Sequence, residues 1–359
     1  MDTALLISGG VDSSVALKLL QKTGHERIHA YYLKIWLEDE LAFLGSCPWE
    51  EDVRYVEAVC RKLNIEFNVV PLQQEYLDTI ISYTLRELKA GYTPSPDVFC
   101  NRHIKLGAFV DKFKNDFDFV ATGHYARVER QDDFTKLMRA ADPLKDQTYF
   151  LSLISPQQLA KLICPLGTYT KTEVRELANQ YDLATKERKD SQGLCFLGKI
   201  KYDEFIKFHL GTRSGKIVEK KTGKILGHHD GYWFYTLGQR RGLGLGGGPW
   251  YIVDKNINEN TIWVAHEADF PKYKNNKFLL RQVNWFSQLD ILTLENITCK
   301  VRHGIKEYPV RMTPHGEGDY LVKFIEGEDG GIASGQIAVF YYGQECLGGG
   351  IMEPVCLQT

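Results

Sequence analysis

The sequence predicts an α/β protein that begins with a doubly wound parallel sheet and continues into a small mainly β central domain and a C-terminal β-barrel-like domain. Two observations support this prediction. Apolar strand-like runs alternate with helical periodicity in the first half of the chain, whereas glycine and short β-branched or aromatic runs dominate the second half. A chain of 359 residues is also too long for one typical core. We place the domains at residues 1–208, 209–272 and 273–359.

The elements predicted for the first domain alternate between strand and helix. Residues 4–7 form a continuous apolar run typical of a buried parallel strand, and Val11, Val15 and Leu19 then repeat at helical spacing. Further strands are predicted at 28–35, 67–70 and 119–121, and further helices at 53–63, 76–89, 101–113, 156–184 and 202–208. In a parallel sheet, ligands bind beyond the carboxyl ends of the strands. The loop from Ser8, residues 33–36 and residues 122–124 should therefore face one pocket.

Residues 8–14, SGGVDSS, predict a phosphate site between the first strand and the first helix. Two glycines let the backbone approach a polyanion closely, and the helix N-terminus offers unpaired N–H groups. Asp12 is expected to hold a cation, which we interpret as magnesium, because a bare carboxylate repels phosphate. The alternative is a glycine-rich turn without a ligand, although such a turn needs only one capping group. The run matches neither the Walker loop nor the dinucleotide fingerprint.

Composition leaves the class of partner open. The formal net charge is −2, with 43% hydrophobic and 25% charged residues, as in ordinary globular proteins. Residues 213–224 carry five basic residues against one acidic residue, a local balance of +4, and Arg240 and Arg241 follow. These charges fit either a solvated surface or a phosphate-tracking patch.

Cellular location is predicted from the absence of two signals. No apolar run reaches membrane-spanning length, and the strand-like run that starts at residue 4 leads us to expect neither a signal peptide nor a membrane partner. Its eight cysteines form no closely spaced pairs, which favours a reducing, cytoplasmic setting.

Three further segments carry candidate chemistry. Residues 93–101 deliver Asp97 and Cys100 from a proline-framed stretch just before the helix predicted at 101–113, where a thiol would have a lowered pKa. Taken alone, Cys100 could be a small buried hydrophobic residue and Asp97 a helix cap. Residues 189–198 place Cys195 in a turn-rich stretch, where it could also be a cysteine without a task. Residues 145–151 could be no more than a helix start.

The order of these segments identifies a family. Residues 8–14 resemble the signature of the PP-loop ATP pyrophosphatases, whose fold is adenine nucleotide alpha hydrolase-like. The segments at 93–101, 123–125, 145–147, 190–195, 236–243 and 346–351 then occur in the order found in the MnmA/TrmU family of tRNA-specific 2-thiouridylases. The resemblance covers essentially the whole chain. Three positions depart from the family pattern. This chain has Ser95 where the family usually has Asn, and Ile35 and Trp36 follow Lys34 where the family commonly has Asn and Trp. It also has His303 where the corresponding pair in the family often ends in Tyr.

The resemblance implies a role for each matching position. It implies three catalytic residues, with Cys195 carrying a persulfide, Cys100 as the partner thiol and Asp97 transferring protons. ATP contacts are implied at Leu6, Ile7, Ser8, Gly9, Gly10, Val11, Asp12, Ser13, Leu33 and Gly123. Target-base or other tRNA contacts are implied at Ser95, Pro96, Asp97, His124, Lys145, Asp146, Gln147, Arg302, His303 and Gln336.

The implied reaction converts the wobble uridine of tRNA to 2-thiouridine. ATP, with Mg²⁺, adenylates the C2 oxygen, the persulfide sulfur replaces it, and the two cysteines can end as a disulfide. The implied partners are tRNAs for Lys, Glu and Gln and a sulfur-relay protein or cysteine desulfurase. An iron–sulfur cluster on Asp97, Cys100 and Cys195 is an alternative that we do not favour, because two thiols suffice for the chemistry.

Two other classes of function remain as rivals. One is a pyrophosphatase-type ligase acting on a small metabolite, and the other is a non-catalytic RNA-binding protein whose nucleotide site is no longer active. Measuring whether pyrophosphate release from ATP depends on added tRNA distinguishes the thiouridylase from these two rivals and the rivals from each other.

Overall fold

A five-stranded parallel sheet forms the centre of the first domain. The computed structural model describes residues 1–25, 27–35, 49–113, 116–189, 201–287 and 289–355. The strands are β1 (Asp2–Leu6), β2 (Arg27–Lys34), β3 (Phe67–Pro71), β4 (Phe119–Thr122) and β7 (Leu162–Ile163), in the spatial order β3-β2-β1-β4-β7. All four pairings are parallel. The strand order reverses between β1 and β4, which is where ligands bind in such sheets.

Helices cover both faces of this sheet, as the doubly wound prediction requires. Leu5 and Ile7 pack into one core with α1, whereas Ala4 and Leu6 pack into the other. This alternation follows from the two-residue period of a strand. The helices are α1 (Val11–Lys22), α2 (Trp49–Leu63), α3 (73–89), α4 (96–112), α5 (Thr148–Leu151), α6 (Pro156–Lys161), α7 (Lys171–Gln180) and α8 (Tyr202–Leu210). In both α3 and α4 a π-helical segment, Leu77–Ile81 and Asn101–Ala108, interrupts the α-helical turns.

Two helix predictions need correction. The predicted helix at 101–113 begins five residues earlier, because Pro96 occupies its first turn and its fixed φ suits that position. The predicted helical region 156–184 is instead two helices separated by β7, since Pro165 and Gly167 follow the strand in a turn. Trp36, the last residue of the 33–36 segment that we expected to face the pocket, lies outside the described residues.

The central domain is a four-stranded sheet. Its strands are β8 (Gly215–Glu219), β9 (Ile225–His229), β10 (Trp250–Asn256) and β11 (Thr261–His266), in the order β10-β11-β8-β9. Ile217, Ile252, Ile262 and Val264 are fully buried and form its small core with Tyr232. The predicted β-rich character is confirmed.

The C-terminal domain closes into a barrel of six antiparallel strands. These are β12 (Lys277–Trp285), β13 (Ile297–Lys300), β14 (Tyr308–Pro314), β15 (Tyr320–Phe324), β16 (Ile337–Tyr342) and β17 (Glu345–Pro354), and the β12–β17 pairing completes the circle. The first domain adds the hairpin β5 (Arg127–Arg130) and β6 (Thr135–Met138), because β6 pairs with β17. One sheet thus joins the first and last domains. The predicted boundaries at 208 and 272 stay a prediction.

No helix among the described residues is long and apolar enough to cross a bilayer.

Candidate nucleotide and tRNA site

The loop after β1 lies at the point where the strand order reverses. Gly9 has a φ of 74°, a left-handed conformation that favours glycine. A Cβ atom at this position would come within 2.7 Å of the carbonyl oxygen of Asp52, so space also requires glycine. The Ser13 hydroxyl accepts a hydrogen bond from the Ser8 backbone N–H at 3.2 Å, and Ser14 donates to the Gly10 carbonyl at 2.8 Å. These bonds hold the loop around the start of α1.

The end of β4 closes the other side of this loop. A Cβ atom at Gly123 would lie 3.0 Å from the Ser13 backbone nitrogen. Glycine therefore keeps the space beside the N-terminus of α1 free of a side chain. Leu6, Ile7 and Val11 are buried in the core, so only their backbone can meet a nucleotide. Leu33 is half-buried near the end of the neighbouring β2.

The Asp12 carboxylate has two close partners that the sequence did not reveal. Its Oδ1 accepts hydrogen bonds from the Tyr125 hydroxyl at 2.8 Å and from the Lys171 ammonium at 2.6 Å. Tyr125 is in turn fixed by Gln147, which accepts from the Tyr125 N–H at 2.9 Å and donates its own N–H to the Tyr125 carbonyl at 2.8 Å. A predicted tRNA-contact residue is thus two hydrogen-bonded steps from a predicted ATP-contact residue.

Arg188 also contacts the glycine-rich loop at residues 8–14. Its guanidinium donates to the Gly9 carbonyl at 2.7 Å and to Asp52 Oδ1 at 2.8 Å, and it lies over the Tyr55 ring. Burial raises the pKa of Asp52, and the hydrogen bond and positive charge of Arg188 oppose that rise. Arg188 therefore ties the residues just before the Cys195 segment to the loop.

The Ser95–Cys100 segment begins α4. The Ser95 N–H donates to the Tyr83 hydroxyl at 3.2 Å. Burial raises the pKa of Asp97, while the charges of Lys105 and His303 oppose the rise. Cys100 is buried and is the fifth residue of the helix, not the residue before it. Since the helix dipole acts mainly within the first turn, our reason for expecting a lowered thiol pKa does not apply to this position.

The positive charge of Lys105 acts on both Asp97 and His124. It opposes the rise in the pKa of Asp97 and contributes to the lowering of the pKa of His124. Burial is the larger cause at His124 and, together with Lys105, lowers the pKa of that imidazole to about 3. His124 is therefore neutral at physiological pH, and its Nδ1 pairs with the Thr122 hydroxyl at 2.8 Å. Lys105 was not predicted as a site residue, because a lysine inside a helix carries no distinguishing sequence signal.

The predicted contacts at 145–147 and 302–303 meet between the first domain and the barrel. His303 Nε2 lies 3.3 Å from the Asp146 carbonyl oxygen, and its ring packs on Phe150. The Asp146 side chain is buried, with its Oδ2 3.7 Å from the buried Lys300 ammonium and 3.8 Å from Arg139. Asp146 thus helps to hold the two domains together, and its carboxylate is buried between them; a contact of Asp146 with tRNA stays a prediction.

The barrel and the central domain both contact the chain before Asp97. The Thr93 N–H donates to the Ser334 carbonyl at 2.8 Å, and the Thr93 hydroxyl donates to Thr236 at 3.2 Å. Gln336 lies two residues beyond Ser334 and is half-buried. Pro96 is buried at the start of α4. The predicted base-contact segment therefore starts where all three domains meet.

The remaining predicted residues fall into separate positions. Arg302 is half-exposed and forms an ion pair with the buried Asp329. Lys145 is half-buried beside Asp142. Cys195 lies outside the described residues. Among the basic residues of 213–224, Lys220 pairs with Asp254 at 2.8 Å and Lys221 with Asp269 at 3.2 Å, which reduces the free charge of that stretch.

Comparisons with known proteins match nearly the whole chain to one family. Family models match residues 1–199, 203–266 and 275–352, and they are described as a tRNA methyl transferase HUP domain, a tRNA methyl transferase PRC-barrel domain and an aminomethyltransferase beta-barrel domain. The protein named tRNA-specific 2-thiouridylase MnmA from Parabacteroides distasonis is 42% identical over 370 residues, covering 98% of this chain and 99% of that relative. A protein of the same name from Porphyromonas gingivalis is 41% identical over 362 residues, with the same coverage.

A solved structure gives a much weaker match. The U34-tRNA thiolase NcsA from Methanococcus maripaludis, described with its [4Fe-4S] cluster, is 19% identical, with a TM-score of 0.35. The match covers 54% of this chain and 60% of that one. A likeness this slight carries no argument about cofactors.

The parallel sheet with its glycine loop and the two β domains define a HUP-domain protein of the tRNA-modifying type. The full-length relatives narrow this class, and the chain belongs to the tRNA-specific 2-thiouridylase family.

Proposed function

We propose that this protein is an ATP-dependent tRNA 2-thiouridylase that replaces the C2 oxygen of the wobble uridine with sulfur. Family membership supports the reaction class. The observation that carries the proposal is the arrangement around Asp12. Tyr125 links that loop residue to Gln147, in a segment that we assign to tRNA. Asp146, the residue before Gln147, contacts His303 of the barrel, and a small-metabolite ligase would need the loop but not this connection.

ATP solves the central problem of the reaction, since oxide is a poor leaving group. The C2 oxygen attacks the α-phosphate, the bond between the α and β phosphates breaks, and pyrophosphate departs. We assign Ser8, the backbone of Gly9 and Gly10, and Ser13 to the phosphates, because loop N–H groups and a helix N-terminus stabilise negative charge there.

Magnesium fits this site as a companion of ATP. Both hydrogen bonds to Asp12 fall on Oδ1, so Oδ2 is the oxygen that would hold the ion. Mg²⁺ is usually bound by one or two carboxylates together with substrate phosphates and water. When bound, it would neutralise charge on the leaving pyrophosphate.

Sulfur transfer is assigned to the Asp97 end of the site. The terminal sulfur of a persulfide on Cys195 attacks C2, and AMP leaves. The Cys100 thiolate then attacks Cys195 Sγ, which releases the thiolated base and forms a disulfide between the two cysteines, to be reduced by external thiols. Asp97, whose pKa burial raises, would move the protons of this exchange. The wobble base must leave its stack to reach Ser95, Pro96 and Asp97.

The persulfide remains our preferred sulfur carrier over a cluster. Two well-placed thiols suffice for the proposed chemistry, whereas a cluster would need Asp97, Cys100 and Cys195 as its ligands. We further propose tRNAs for Lys, Glu and Gln as substrates, a cysteine desulfurase or sulfur-relay protein as donor, and the cytoplasm as the location.

The test measures pyrophosphate release and the wobble nucleoside in the same reaction. Rigorously iron-free protein is given ATP, tRNA and a cysteine desulfurase with cysteine. We expect pyrophosphate only when tRNA is present, and 2-thiouridine by mass analysis. Pyrophosphate release without tRNA would favour a small-metabolite ligase, and no release under any condition would favour an RNA-binding protein.

Two cysteine variants and one reconstitution identify the sulfur carrier. Cys195→Ser should still release pyrophosphate but form no thiolated product, and Cys100→Ser should stall with sulfur attached to Cys195. Product that appears only after cluster reconstitution would overturn the persulfide mechanism.

A further inference from the structure

Lys171 brings a cation to the nucleotide loop from a distant part of the chain. It is the first residue of α7, and its backbone N–H donates to Asp142 Oδ2 at 3.0 Å. Its ammonium lies 2.6 Å from Asp12 Oδ1, and the lysine side chain is only 15% exposed. A Thr170–Glu173 capping box fixes the start of the helix and therefore the direction in which Lys171 leaves the backbone. The start of α7 and the ion pair with Asp12 together fix the Lys171 ammonium at the loop.

We propose that Lys171 binds the phosphates of ATP and that Asp12 holds its ammonium at the loop before ATP arrives. This inference rests on the proposed function, since it needs ATP in this loop. A lysine ammonium has three donors, so an ion pair with Asp12 is compatible with a hydrogen bond to a phosphate oxygen. Its positive charge also offsets the repulsion between Asp12 and the phosphates, which otherwise opposes a carboxylate in this loop.

The surroundings distinguish this ion pair from a merely structural one. Lys62 and Asp182 form a comparable pair at 2.9 Å, but it joins the C-terminal end of α2 to the turn after α7, on an exposed surface. The Lys171 pair instead lies on Asp12 in the loop at the carboxyl edge of the sheet, next to Gly123, where a Cβ atom would come within 3.3 Å of the Asp12 carbonyl carbon. The Lys62 pair therefore supplies a matched control in the same domain.

The test compares binding of ATP and adenosine by the full chain without tRNA. Lys171→Met should weaken ATP binding about 10- to 100-fold, the range expected for a hydrogen bond to a charged group. Adenosine binding should not change, because adenosine has no phosphate. Lys171→Arg should recover most of the ATP affinity by restoring the charge. Lys62→Met should bind both probes like the unmodified protein.

Three results would overturn the proposal. Equal ATP affinity in Lys171→Met and the unmodified protein would refute it and leave the thiouridylase function intact. A parallel loss of ATP and adenosine binding would show that Lys171 only shapes the loop. If the unmodified protein bound no ATP, the proposed function would fail as well. Where Lys171→Met does not fold, Lys171→Gln removes the same charge while keeping a polar side chain.

Discussion

Tyr125→Phe tests whether the hydrogen bond to Asp12 matters for the chemistry. The change removes one hydroxyl from a side chain that is 1% exposed and leaves the ring in place. The lost bond is 2.8 Å long and ends on a carboxylate, and hydrogen bonds to charged groups contribute about 1.5–3 kcal/mol. Asp12 is 34% exposed, which favours the lower end, about 1.5 kcal/mol. Since each 1.36 kcal/mol is tenfold in rate, we expect kcat/KM for ATP to fall about tenfold.

The assay is pyrophosphate release at saturating tRNA, with a second tyrosine as control. The Tyr181 hydroxyl accepts a hydrogen bond from Lys22 at 2.6 Å at the other end of α1. Tyr181→Phe therefore removes a tyrosine bond to a charged group without touching the loop, and it should leave ATP kinetics unchanged. In an Asp12→Asn background the effect of Tyr125→Phe should shrink, because the charged acceptor is gone. Identical ATP kinetics for Tyr125→Phe and Tyr181→Phe would refute the reasoning.

Three further predictions concern thiolation, domain docking and tRNA affinity. Asp97→Asn should lower thiolation about 10²- to 10⁴-fold, the usual contribution of a proton-transfer group, as measured by 2-thiouridine yield. It should also raise the melting temperature at neutral pH. Because burial raises the pKa of Asp97, ionisation of this carboxyl group destabilises the folded state. The gain in melting temperature should therefore vanish as the pH falls below the carboxyl pKa of the unfolded chain, about 3.9. An unchanged melting temperature of the variant at pH 7 would contradict this prediction. Lys300→Met leaves the buried Asp146 carboxylate with less compensation and should lower stability in urea by about 3 kcal/mol, and adding Asp146→Asn should recover part of that loss; additive losses would exclude the coupling. Replacing the exposed Arg240 and Arg241 by Ala should weaken tRNA binding and flatten its salt dependence by about one unit per lost phosphate contact, unless these charges are only solvated surface.

The fold was predictable because its signals are local. The alternation of strand and helix, the glycine loop and the change to β character after residue 208 each appear within short windows of sequence. The start of α4 was misplaced because Pro96 was interpreted as part of a rigid approach to the helix, whereas its φ is also that of a first helical residue. The hairpin of β5 and β6 was not predicted, since its pairing with β17 joins residues about 200 positions apart.

The site was predictable only in part, for a related reason. Asp12, Asp97 and Cys100 stand out because each sits among glycines or prolines that set the backbone. Lys171 and Lys105 act on residues from distant segments, and nothing in their own neighbourhoods distinguishes them from ordinary helix residues. Tyr125 lies in the distinctive 123–125 segment, but its contact with Asp12 joins residues 113 positions apart and could not be predicted.

The arrangement of charges explains why the loop needs these distant contributions. A glycine-rich turn can supply N–H groups, but it can neither neutralise its own carboxylate nor respond to the binding of a second substrate. Lys171, at the start of α7, neutralises the Asp12 carboxylate. Tyr125 provides a link to a second substrate: its backbone N–H donates to the Gln147 side-chain oxygen, its carbonyl accepts from the Gln147 backbone N–H, and its hydroxyl donates to Asp12. Our proposal that tRNA contacts residues 145–147 and His303 implies that a shift of this segment on binding would be transmitted to Asp12 through Tyr125. These contacts give a physical reason for the proposed dependence of pyrophosphate release on tRNA. Tyr125→Phe should therefore weaken the effect of tRNA on pyrophosphate release while ATP still binds.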